Sequence, residues 1–103
     1  KLLKFGKVEV KTERDKWKRT RNIAVELTCN GEKSGLNATE AEYWAHILTC
    51  KGKIISIILT PVPKLKKIVK NSVLNGNGRV TMGGDNNASE IALIPLGDLV
   101  DGF

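Results

Sequence analysis

The run Lys7-Val8-Glu9-Val10-Lys11 sets a carboxylate between two ammonium groups at alternate positions. In an extended strand successive side chains point to opposite faces, so Lys7, Glu9 and Lys11 share one face while Val8 and Val10 point into a core. Glu9 and Lys11 then lie about 7 Å apart along the strand. At that spacing both side chains reach one bound phosphate or metal ion. An ordinary edge strand with a solvated charged face has the same pattern, so the surroundings must decide between them.

Those surroundings are basic. The 103-residue chain carries a net charge of +6, and its distribution says more than its size. Nine Lys/Arg against three acids fall within residues 1–21, and the remainder balances at eight against eight. All the excess positive charge therefore surrounds the Glu9/Lys11 strand, which is the footprint of a polyanion-binding surface. Arg14, Lys16, Lys18, Arg19 and Arg21 are the candidate nucleic-acid phosphate contacts of such a surface, with Trp17 among them, although a basic face without a partner has the same composition. Trp17 either stacks on a base or sugar beside these phosphate contacts or folds back to cap the core.

The next alternation, Asn22 to Thr28, reads as a second strand with Ile23, Val25 and Leu27 on one face and Glu26 on the other. If it pairs with the first strand across the basic loop, Glu26 stands near Glu9. Two facing carboxylates need positive charge between them, which Lys11 or a divalent cation supplies. Glu26 is thus a further catalytic and metal-ligand candidate. A different register leaves it solvated.

Other elements follow from local signals. Asn30-Gly31 ends the second strand in a turn, and Thr39 to Glu42 has the spacing of a capping box, predicting a short helix ahead of Tyr43-Trp44. Lys51-Gly52 fits a tight hairpin turn. Ile54 to Leu59 lacks a polar face and predicts a central strand covered on both sides. Thr60-Pro61 opens an amphipathic helix with Val62, Leu65, Ile68, Val69 and Val73 inward. Asn75 to Gly78 and Gly83 to Asn87 are breaks. Glu90 to Pro95 is a last strand, followed by an acidic helical or irregular end from Gly97 to Phe103. The expected fold class is α/β, a mixed central sheet flanked by helices in a single domain, residues 1–103.

Composition excludes several classes. The longest apolar run is far too short to span a bilayer, and the opening residues lack the order of a signal peptide, so a cytoplasmic setting without a membrane partner is expected. Cys29 and Cys50 lack the close pairing of zinc or redox motifs and read as free thiols. His46, in an apolar run, reads as a packed residue. The Gly83-Gly84 stretch lacks the Lys-Ser/Thr of a phosphate-binding loop. The chain opens mid-pattern at Lys1-Leu2-Leu3-Lys4-Phe5, as a fragment or processed chain would.

Glu9-Val10-Lys11 resembles the acidic-x-lysine signature of the PD-(D/E)xK, or restriction-endonuclease-like, nuclease superfamily. Lys11 to Trp17, Asn22 to Glu26, Ser34-Gly35, Glu42 to Trp44 and Gly83 to Ser89 together look like its small phage-encoded members. The resemblance implies a restriction-endonuclease-like core and hydrolysis of DNA phosphodiesters with Mg²⁺ or Mn²⁺. Glu9 would be a metal ligand, and Lys11 would hold the attacking water and offset charge on the phosphorus. The superfamily's second acid, an Asp on the preceding strand, has no counterpart in residues 1–8. A non-catalytic DNA-binding module and a structural or interaction protein on a degenerate nuclease fold therefore stay open. A homodimer suits an enzyme that must address both strands of a duplex.

Overall fold

Two of the strand pairings in this chain are set by tight turns. The computed structural model describes residues 6–102; the expectations for Lys1 to Phe5 and for Phe103 fall outside them. Strand β4 (Tyr43–Cys50) is joined to β5 (Lys53–Pro61) by Lys51-Gly52, whose φ angles of 51° and 78° are the pair of positive values a type I′ hairpin turn requires. Asn30-Gly31, at 52° and 79°, makes the same turn between β2 (Asn22–Cys29) and the two-residue β3 (Glu32–Lys33). Strand β1 (Val8–Glu13) precedes the short helix α1 (Lys16–Thr20). Helix α2 (Val62–Leu74), β6 (Arg79–Gly83), β7 (Ser89–Pro95) and α3 (Leu96–Asp101) complete the order.

The α/β class and a mixed sheet are present, but one central sheet is replaced by two. The first has the order β1-β4-β5, with β1 parallel and β5 antiparallel to β4. The second, β3-β2-β7-β6, is antiparallel throughout. Both contribute to one core: Trp44 and Leu48 from the first, Ile23, Val25, Ala92 and Ile94 from the second. Leu65, Ile68 and Val69 of α2 and Leu99 of α3 pack with them. No helix among the described residues is long and apolar enough to cross a membrane.

Four expectations are corrected here. Strands β1 and β2 do not pair, because β1 takes its partner from β4. No helix follows Thr39: the N–H groups of Glu42 and Tyr43 donate to the Lys7 carbonyl, and this start of the parallel register draws the segment into β4. The Thr39 hydroxyl instead accepts from the Ala41 N–H at 3.1 Å. Helix α2 begins at Val62, since Pro61 stays extended (φ −57°, ψ 134°) as the last residue paired with β4, and Thr60 caps nothing.

The fourth correction concerns which faces are buried. The core side of the first sheet carries Trp44, His46 and Leu48, and their register partners on β1 are Glu9, Lys11 and Glu13. The alternation is therefore inverted relative to expectation: Val8 and Val10 are 40% and 57% exposed. Strand β5 is an edge and not a centre, with Ile54, Ile55 and Ile57 about 60% exposed. A continuous apolar run gives periodicity nothing to resolve. Val8, Val10, Ile57 and Leu59 consequently form an apolar outer face, opposite the side that bears Glu9 and Lys11.

Candidate functional site

Glu9 and Lys11 do share a face, at the outer margin of the core side. Because β1 is an edge strand, its first two charged side chains run past the core and remain exposed, whereas Glu13 reaches under it and is buried. Glu9 Oε1 accepts a hydrogen bond from the Thr39 hydroxyl at 3.3 Å. Lys7 Nζ lies 3.9 Å from Glu40, an exposed pair of little energetic weight.

Behind this pair lies a buried polar layer that sequence reasoning did not assign to the site. Glu13 accepts the Ala24 N–H at 2.8 Å, bridging β1 to the free edge of β2. Burial pushes its carboxyl above the usual glutamate range, opposed by that hydrogen bond and by the Lys11 charge. The signal was available as Glu9-x-Lys11-x-Glu13, one further step of the same alternation. His46, across from Lys11, is fully buried, and burial together with the Lys11 charge lowers its pKa to about 4, leaving a neutral imidazole at pH 7. Its ring lies 6.2 Å from that of Trp44. Both His46 nitrogens, Trp44 Nε1 and the Thr60 hydroxyl have no hydrogen-bond partner among the described residues.

Glu26 is not brought to Glu9 by strand pairing, since the two lie on different sheets. Its carboxylate accepts from the Ser34 hydroxyl at 2.8 Å and the Ser89 hydroxyl at 2.9 Å. Gly35 packs so closely on the Glu26 carbonyl that a Cβ there would collide with it, and its φ is +49°. Three of the segments that carry the resemblance, Asn22 to Glu26, Ser34-Gly35 and Gly83 to Ser89, therefore converge on one half-buried carboxylate. Among the described residues no group of three His, Cys, Asp or Glu side chains is placed to hold a metal ion. Glu9 is the exposed carboxylate beside Lys11, and Mg²⁺ asks for one or two carboxylates with waters and substrate phosphates completing its shell.

The basic set lies on the continuation of β1 and on α1. Arg14, Lys16, Lys18, Arg19 and Arg21 are all exposed. Trp17 folds back: its Nε1 donates to the Thr49 carbonyl at 2.7 Å and its ring packs against the core, pinning α1 to the end of β4. Arg14, Lys16 and Arg79 rim a cleft of about 420 Å³ floored by Ala24, Ile91 and Leu93 and reached by Glu13. Arg79 was missed because five residues of β6 alternate too briefly to register. A larger cavity, about 690 Å³, lies between α2 and α3 and includes neither Glu9 nor Lys11. Comparison with protein-family models, with curated proteins and with solved structures found no match.

Proposed function

We propose that this chain is a nuclease that hydrolyses DNA phosphodiesters, with Glu9 and Lys11 as the reacting pair. The observation that carries this reading is an exposed carboxylate and an exposed lysine on one strand face, followed along the chain by five further exposed cations. Arg14, Lys16, Lys18, Arg19 and Arg21 take backbone phosphates. Lys11 offsets charge developing on the phosphoryl oxygens, and Glu9 supplies the carboxylate for a hard cation, Mg²⁺ or Mn²⁺. Glu26, held by two serine hydroxyls, acts by fixing the turn and β7 against β2. Action on both strands of a duplex calls for two copies. The reading sets the protein in the cytoplasm, with DNA.

A cleavage assay on duplex, branched and single-stranded DNA with and without Mg²⁺ tests this. Cleavage is expected to require the cation and to fall at least about a hundredfold in Glu9→Ala and in Lys11→Ala. Activity surviving either substitution removes that residue from the reaction. A second reading, a DNA-binding module that does not cleave, rests on the exposed cations Arg14, Lys16, Lys18, Arg19 and Arg21 alone. It predicts binding that weakens with salt, with a log–log slope of at most about −4.5 for five phosphate contacts, and no product. Salt-insensitive behaviour and no binding would leave the interaction-protein reading.

A further inference from the structure

We propose that the outer edge of β1 pairs, antiparallel and two-fold about Val10, with β1 of a second copy of this chain. Strand β1 has β4 on one side, and no backbone hydrogen bond from Val8 to Thr12 is made on the other among the described residues. Those five residues are all exposed, whereas Glu13 turns in to β2 and ends the accessible stretch. An unpaired edge of this kind is a template for another strand, and natural edges are commonly blunted by charge. Here the charge does the opposite, because its sign alternates along the edge as Lys7, Glu9, Lys11.

The accessible stretch is centred on Val10, and the two-fold register that uses all of it places Val8 opposite Thr12 and Val10 opposite itself. In that register each Glu9 faces the second copy's Lys11, twice per pair, on the same face of a joined six-stranded sheet. The neighbouring registers that keep like faces together, centred on Glu9 or on Lys11, set identical charges opposite each other, which is destabilising. Alternating charge therefore selects a second copy as the occupant and fixes one register. This gives a surface to the two-copy assembly proposed above and rests on that part of the reading alone. It would bring both Glu9/Lys11 pairs onto one continuous face.

Sedimentation equilibrium of the full chain, from about 5 to 200 μM, tests the edge without reference to cleavage; a strand-edge interface is small and association weak. A reversible dimer is expected. Glu9→Lys alone and Lys11→Glu alone should each weaken it about tenfold or more, and the double exchange E9K/K11E should restore it to within about threefold. Far-UV circular dichroism confirms that each exposed-site variant is folded. Independently, Val10→Cys should form an intermolecular disulfide on oxidation, while the wild type and the equally exposed Ile57→Cys should not. A monomer at 200 μM overturns the proposal. So does a dimer indifferent to both single substitutions, a double exchange that fails to recover, or cross-linking equal at Val10→Cys and Ile57→Cys. A dimer indifferent to charge would leave the two-copy assembly standing and remove only its edge.

Discussion

His46 shows how burial turns a side chain into a pH-dependent cost. Its pKa is about 4 in the fold, against an unfolded value near 6.5, so the unfolded chain binds the proton more readily. Stability from this group is complete above about pH 6.5 and is lost as pH falls towards 4, by up to about 3 kcal/mol. Glu13, raised by burial, acts in the opposite sense: its ionisation as pH rises above the ordinary glutamate range is what the fold resists. A His46→Leu variant isolates the first effect. Denaturant unfolding of variant and wild type at pH 6.5 and pH 4.5 is expected to show a smaller acid loss in the variant; equal losses would mean that the imidazole is protonated within the fold. At this scale much was legible, because Glu9 and Lys11 need only a strand to share a face. Glu13 belongs to the same alternation, but its burial was not legible, because it depends on Ala24 of another sheet.

Elements were legible where a local rule dominates and were misread where pairing partners decide. Lys51-Gly52 and Asn30-Gly31 specify their turns through positive φ alone. A helix was expected ahead of β4 because Thr39 and Glu42 carry a cap signature; it is the Lys7 carbonyl, far away in sequence, that claims the Glu42 N–H. A recurrent device appears only in three dimensions. Pro61 and Pro95 both stay extended, at ψ 134° and 136°, and carry a hairpin directly into a helix, α2 or α3. Packing of α1 is testable through Trp17, whose indole both contacts the core and bonds Thr49. Trp17→Ala should cost about 2 kcal/mol, roughly 10 °C in unfolding midpoint, whereas Ile57→Thr on the exposed face of β5 should change stability by less than about 0.5 kcal/mol. Similar losses at the two positions would place α1 outside the core or cover the β5 face.

For the whole molecule, the order of strand and helix signals pointed correctly to an α/β chain, but not to two sheets. Strand count and order follow from which edges meet, and β1 skips past β2 and β3 to lie beside β4. That parallel pairing has a consequence in time. The β4–β5 hairpin closes through two turn residues, whereas Val8 must wait for Tyr43, a contact that no tight turn closes. Because β1 is an edge strand exposed from Val8 to Thr12, amide hydrogen exchange should release it through a local opening of lower free energy than the one that exposes the buried Ile23, Val25 and Ile94, and exchange of all these amides at one common free energy would contradict this. On a ribosome β1 emerges before β4 and docks only after it. For that interval the strand bearing Glu9 and Lys11 lacks the β4 edge that it pairs with in the fold.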